Sequence, residues 1–232
     1  MAMTAEFKQV PFETPRALGL SELPGIIEQY RRGAQNAKAA GFDGVEIHGA
    51  NGYLLDQFLE DKSNHRTDAY GGSIENRARL LLEVADAVTG VWGADRVGVR
   101  LSPYGKFLDV GDSDPVALFN HVLQQLSNRG IAYAHVIETR THEKATGDEP
   151  RTSELFRTAF KGAFISAGGY DGESADKTVG EGFAEAIAFG RWFISNPDLP
   201  KRLELGSDLN KYDRSTFYGG TEKRYTDYPA IV

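Results

Sequence analysis

Asp43-Gly44-Val45-Glu46-Ile47-His48-Gly49-Ala50-Asn51-Gly52-Tyr53 is the stretch whose reading decides the architecture. Val45 and Ile47 alternate with polar neighbours, which predicts a short strand over Asp43–His48. The strand breaks at once into a polar, glycine-containing loop. An open nucleotide-binding sheet would carry G-x-G-x-x-G after its first strand. Gly49-Ala50-Asn51-Gly52 lacks that spacing. Polar and glycine residues instead follow several strands: His48 and Asn51, Arg100 and Ser102, Glu138, Gly168 and Gly169, Gly190 and Arg191. Groups gathered at many strand ends are how a (β/α)8 barrel builds its site. The expected fold class is therefore α/β, of the TIM barrel type.

Upstream, Leu23, Ile26, Ile27, Tyr30 and Ala34 recur at helical spacing, with Ser21 as the expected cap, Pro24 in the first turn and Gly41 as the stop. Downstream, Ser73 opens a helix through Leu80, Leu81, Val84 and Val88, and a strand follows at Arg96–Leu101. Asp114 and Pro115 open the next helix, which ends at Gly130 before a strand over Tyr133–Ile137. A shorter helix near Ser153–Phe160, a strand Ala163–Ser166, a helix near Ser174–Val179 and a strand Ala186–Phe189 come next. A weak helix near Leu199–Leu205 opens a polar tail. Helix and strand thus alternate, which implies right-handed crossovers and a parallel sheet. Five strands are found, where a closed barrel needs eight. Such a sheet would keep two open edges.

The chain has 232 residues, 41% hydrophobic and 25% charged, a balance that fits one domain over residues 1–232. A net charge of -7 argues against nucleic acid or an anionic membrane as the main partner. The absence of cysteine excludes disulfides, thiolate metal sites and a cysteine nucleophile. No apolar run approaches the ~20 residues of a membrane helix. Met1–Gln9 has no apolar signal-peptide core. A soluble, cytoplasmic protein is expected.

His48, Asn51 and Tyr53 form the densest polar cluster. Imidazole and amide can together hold a carbonyl oxygen, and a tyrosine hydroxyl can donate a proton. An ordinary polar loop is the plain alternative. Arg100, ending an apolar strand, is either a structural ion-pair partner or a contact for an anionic ligand or electron-rich ring. Glu46, Asp43 and Glu138 are candidate buried partners of a cation. Gly168-Gly169 and Gly190-Arg191 follow consecutive strands, where backbone N–H groups and an arginine can bind phosphate. Two glycine turns without a ligand are the alternative. His65, His121, His135 and His142 show no metal-site spacing, and no metal is expected.

His48-Gly-Ala-Asn51-Gly-Tyr53-Leu-Leu-Asp-Gln-Phe-Leu59, followed by Ser63-Asn-His-Arg66-Thr-Asp68-x-Tyr70-Gly71-Gly72-Ser-Ile-Glu75-Asn76-Arg77, resembles the old yellow enzyme family. Val99-Arg100-Leu-Ser-Pro103, Ser166-Ala-Gly168-Gly169-Tyr170, Ala188-Phe-Gly190-Arg191, Asn196-Pro197-Asp198 and the tail Phe217-Tyr218-Gly-Gly…Tyr225-Thr-Asp-Tyr-Pro229 continue the match in order. The similarity runs from about Thr14 to Pro229 and looks closest to bacterial nitroester and enone reductases of the family.

The resemblance implies an FMN-containing TIM barrel that reduces activated alkenes with NADPH or NADH. Enones are the implied substrates, with nitrate esters and nitroaromatics in some members. By the same likeness His48 and Asn51 bind the substrate oxygen, Tyr53 donates the proton, and Arg100 lies beside the flavin. Gly168, Gly169, Gly190 and Arg191 hold the FMN phosphate, and Tyr218 lines the substrate pocket. The five strands correspond to strands four to eight of the family barrel. A complementary chain carrying strands one to three, or self-association, is expected to complete it. The alternatives are an inactive fragment or a phosphate-ligand binding module.

Overall fold

The computed structural model describes residues 2–3, 9–11, 13, 15–138, 151–218 and 221–231. Thr14, His142 and the Gly219-Gly220 pair lie outside the described residues. Two dipeptides near the start, β1 (Ala2–Met3) and β2 (Gln9–Val10), pair antiparallel. Then come α1 (Leu23–Ala39), β3 (Val45–Gly49), α2 (Leu54–Leu59), α3 (Ile74–Trp92) and β4 (Val97–Leu101). They are followed by α4 (Pro115–Asn128), β5 (Tyr133–Ile137), α5 (Thr152–Phe156), β6 (Ala163–Ala167) and α6 (Gly172–Gly180). The last elements are β7 (Ala186–Ala188), α7 (Arg191–Ser195) and α8 (Leu199–Leu205).

Local chemistry explains most of these boundaries. Asp114 caps α4 by accepting from Ala117 N at 3.0 Å, with Pro115 at the first helical position. α1 ends at Gly41, φ +86°, where Gly41 N donates to Lys38 O and Phe42 N to Ala37 O. That is a Schellman closure, and glycine takes its left-handed position without a Cβ penalty. Ser73 caps α3 as expected, over a long 3.4 Å bond from Asn76 N. Ser21 does not cap α1. It lies inside a 3-10 turn, Leu20–Glu22, and Glu22 leads into the helix with its carboxylate held by Arg16 at 2.7 Å. The helix expected near Ser153–Phe160 is split into α5 and a 3-10 turn, Arg157–Ala159.

β3 to β7 form one parallel sheet in chain order, β3-β4-β5-β6-β7. The register pairs Ile47 with Val99, Val99 with Ala134 and Ala134 with Phe164. Those residues and Val97, Leu101 and Val136 are buried on the face covered by helices. Opposite them lie Leu81, Val84 and Val88 of α3 and Phe119, Val122 and Leu126 of α4, all within one apolar cluster. Trp92 closes the outer layer by donating Nε1–H to Ala34 O at 3.0 Å. Among the described residues no helix is long and apolar enough to cross a membrane.

Burying a leucine side chain is worth roughly 1.5–3 kcal/mol. Leu81 is fully buried and its Cδ1 lies 3.2 Å from where a side chain at Gly49 would begin. Leu81→Ala should therefore cost about 2–5 kcal/mol in denaturant unfolding. Phe42→Ala, at a residue 66% exposed, should shift the midpoint little.

Candidate active site

The uncovered face of the sheet is built from the other half of each strand. Register places Glu46 beside Gly98, His48 beside Arg100, and Arg100 beside His135. Glu46 accepts from or shares a proton with His135 Nδ1 at 2.9 Å. Burial would raise the Glu46 carboxyl, but the His135 bond and the charges of His135 and Arg100 hold it below its ordinary value. Tyr133 lies over Gly98, where any side chain would strike its ring. Burial and the Glu46 charge push the Tyr133 hydroxyl up to about 12.

Two groups on this face are unsatisfied. Arg100 Nε and His135 Nε2 are buried and meet no hydrogen-bond partner among the described residues. Each such group costs about 1–3 kcal/mol. Of the candidate partners of a cation, Glu46 pairs with the His135 ring at 2.9 Å, and Arg100 acts on it through its charge alone among the described contacts. Asp43 is exposed and is not a buried partner. Burial and the neighbouring Arg100 charge push the His48 imidazole below its ordinary value. It is therefore a neutral ring near neutral pH, able to donate one hydrogen bond.

The loop after β3 is tightly determined. Asn51 and Gly52 are both left-handed, φ +57° and +72°. A side chain at Gly52 would collide with the Phe107 carbonyl and Leu108. Asn51 N donates to Ser102 Oγ at 2.7 Å, and Gly52 N to Asp56 Oδ2 at 2.8 Å. Tyr53 follows at the entrance to α2, its ring 5.3 Å from that of His48 in an edge-on contact. It is 52% exposed. The loop thus brings His48, Asn51 and Tyr53 to one edge of the sheet, beside Arg100.

β6 and β7 end at the same edge, with Ala167 paired to Ala188. Gly168 and Gly169 turn with φ +120° and +71°. A side chain at Gly190 would meet nothing within 4 Å, so packing within this chain does not require glycine there. Arg191 is exposed, and its guanidinium lies over the Tyr212 ring at 5.8 Å. Tyr218 stands 78% exposed on the tail, so no packed pocket wall runs through it. Glu138 is buried and accepts from Thr152 N, Ser166 Oγ and Tyr170 OH at 2.6, 3.0 and 3.0 Å. It thereby fastens the turn after β6 to the start of α5. Sequence reasoning singled out neither His135 nor Tyr133 for this face, although alternation along Tyr133-Ala134-His135-Val136-Ile137 marks both.

A parallel sheet with helices on one face and polar strand ends gathered at one edge defines a segment of a barrel-type α/β fold. The chain belongs to the old yellow enzyme family, matching the NADH:flavin oxidoreductase / NADH oxidase family over residues 1–210. It is 50% identical to 12-oxophytodienoate reductase 2 of Arabidopsis thaliana over 95% of its own length and 59% of that protein. It is 51% identical to 12-oxophytodienoate reductase 1 of Oryza sativa subsp. japonica, over 99% and 61% respectively. Among solved structures, morphinone reductase in complex with tetrahydroNAD superposes with a TM-score of 0.90 at 47% identity. That match covers 99% of this chain and 62% of morphinone reductase. The old yellow enzyme homologue of Zymomonas mobilis gives 0.91 at 42% identity, covering 96% and 63%. The chain therefore spans about three fifths of the relatives it matches. The family's cofactor is FMN.

The residues present fit that cofactor. The unpartnered Arg100 Nε can donate to an electron-rich ring edge. The left-handed glycines and the open space at Gly190 leave backbone accessible to a phosphate. The cost of leaving Arg100 unsatisfied is itself testable. Arg100→Met should stabilise the chain by about 1–2 kcal/mol in denaturant unfolding, because an apolar side chain of similar length replaces a poorly paired cation. Destabilisation would show that Arg100 serves the fold instead.

Proposed function

We propose that this chain supplies, as one domain, strands four to eight of a (β/α)8 barrel, and that the barrel is an FMN-dependent oxidoreductase of activated alkenes. NADPH or NADH is the reductant. Enones are the main substrate class, with nitro compounds and nitrate esters as further candidates. The observation that carries this reading is the half-buried Arg100 with its unpartnered Nε. It sits between His48 and His135 at the edge where both glycine turns emerge. The names of the relatives, reductases of oxophytodienoate and of morphinone, support the substrate class.

Arg100 would hold the pyrimidine side of FMN, and Gly168, Gly169, Gly190 and Arg191 its phosphate. When bound, FMN would supply the hydride chemistry between the nicotinamide and the carbon β to the activating group. His48, neutral by burial and by the Arg100 charge, donates a hydrogen bond to the substrate oxygen without protonating it. Asn51 offers the second donor. Tyr53 then gives its phenolic proton to the α carbon. Its exposure lets water restore that proton. Tyr218 would close the outer side of the substrate.

β3 and β7 are the sheet edges, each paired on one side only. Unpaired edges invite a strand. A groove of about 510 Å³ flanks the β3 edge, lined by Ile26, Tyr30, Val45, Ile47 and Leu54. We place strands one to three there, which the three-fifths coverage of the relatives supports, and propose that a complementary chain carries them.

The decisive measurement is to purify the chain alone and with an N-terminal segment of a relative, then record solution mass, visible absorbance and enone-dependent NADPH oxidation. Bound flavin with activity in the heteromer is expected. A colourless, inactive heteromer would sink the reading and leave an inactive fragment or a phosphate-binding module, and a homo-oligomer that resists the segment would replace the second chain with self-association. In the active form, Tyr53→Phe should slow the oxidative half-reaction roughly a hundredfold or more. Flavin reduction should stay largely intact, and equal slowing of both halves would remove Tyr53 from the proton-donor role.

A further inference from the structure

Two carboxyl groups behind the Asn51–Gly52 turn have no part in the chemistry above. Asp56 in the first turn of α2 and Glu60 just past its end are four residues apart, and both are fully buried. Asp56 Oδ2 accepts from Gly52 N at 2.8 Å and from Ser102 Oγ at 3.2 Å. Ser102 in turn accepts from Asn51 N at 2.7 Å. Both left-handed residues of the turn are thus anchored, directly or through one hydroxyl, on a single carboxylate oxygen. Yet Asp56 Oδ1 and both Glu60 oxygens are buried, and no donor among the described residues reaches them. Two bare carboxylates side by side in such a place are not tenable. One proton placed between them removes one charge and gives each carboxyl a partner, leaving a single Glu60 oxygen bare.

We propose that Asp56 is the positioning residue of the Asn51–Gly52 turn, and that Glu60 holds it there by sharing one proton with it inside the protein. The proposal rests on the reading above only for what the turn serves. The device works by geometry. A left-handed asparagine next to a left-handed glycine is a costly backbone conformation that persists only where its surroundings over-determine it. Asp56 supplies that constraint, and the turn then presents the Asn51 and Tyr53 side chains at the sheet edge. Gln57 adds a clamp from Nε2 to Gly52 O at 2.6 Å.

The charged groups around the pair all work in one direction, apart from one cation. Asp61 continues the same loop, and Asp112 approaches from the segment ahead of α4. Arg77 of α3 is engaged by Asp112 and by the Leu59 carbonyl. Burial first, then the Asp56 and Asp112 charges, raise the Glu60 carboxyl from 4.5 to about 9. A carboxyl raised in the folded state stabilises fully at pH below its unfolded value, and the effect is lost as pH climbs to the folded value. The anchoring of the turn should therefore weaken between pH 4.5 and about 9.

Amide hydrogen exchange by NMR on the full chain tests this without flavin or substrate. In Asp56→Ala, the Asn51 and Gly52 amides should exchange about tenfold faster, while β4 and β5 amides keep their protection. In Ser102→Ala, Asn51 should accelerate and Gly52 should not. Glu60→Gln keeps a neutral donor against Asp56, so it should retain wild-type protection at both amides. It should also remove the loss of protection that the wild type shows above about pH 6, the value to which burial raises Asp56 itself, up to about 9. Should Asp56→Ala fail to fold, the Ser102→Ala and Glu60→Gln pair decides alone. Unchanged Asn51 exchange in Ser102→Ala would overturn the proposal. So would a flat pH profile in the wild type, or acceleration in Glu60→Gln. A turn that behaves as stated in a chain that reduces no enone would defeat the functional reading and leave this one standing.

Discussion

Parallel pairing in unbroken chain order is the constraint on which the molecule turns. When β3 to β7 lie side by side in sequence, every strand must leave the sheet at the same edge. Residues as far apart as His48 and Gly190 therefore reach one rim without any contact between them having to arrange it. The helices return on the other face, and their apolar stripes supply the burial that holds the sheet. Position at the rim is a consequence of topology. Chemistry there can change while the core stays the same.

The two faces of the sheet differ in what they bury. Toward the helices, Ile47, Val97, Val99, Val136 and Phe164 are buried in one cluster. Toward the other side, the same strands put forward Glu46, His48, Arg100, Tyr133 and His135. An apolar set there would stabilise this chain better, since Arg100 Nε and His135 Nε2 meet no partner. Stability is forgone at positions where a ligand could repay it. That asymmetry, more than any single residue, is what makes this face the candidate site.

Much of this was legible along the chain. Asp114-Pro115, Ser73 and the glycines at 41 and 130 punctuate the helices by local hydrogen bonding, which needs no tertiary information. Strand Tyr133–Ile137 and helix Leu199–Leu205 lie where alternation and helical spacing put them. α2 was not legible, because a helix of 6 residues is too short to show a period. Nor was Ser21's displacement, since the Arg16–Glu22 pair draws a 3-10 turn ahead of the helix and no rule of spacing predicts which cap wins. Of the site, the His48–Tyr53 loop and the glycine turns stood out because polar residues broke apolar strands. The Glu46–His135 bond could not, because it joins residues 89 apart through a register that only the assembled sheet defines.

The same limit explains why the rim's most constrained element was read only by its exposed half. Asn51 and Tyr53 were conspicuous as polar residues after a strand, while Asp56 stood in a stretch with no readable period. Its meaning lies in the direction of its side chain. Asp56 points inward to the amide of Gly52 and to Ser102, a residue 46 positions away at the end of the neighbouring strand. The left-handed turn could not persist on local preference alone, because asparagine tolerates that conformation without favouring it. A buried acceptor is what converts tolerance into a fixed geometry. A buried carboxylate so used must in turn be kept from its own acidic neighbour, which is why the proton on Glu60 belongs to the same structural problem as the placement of Asn51.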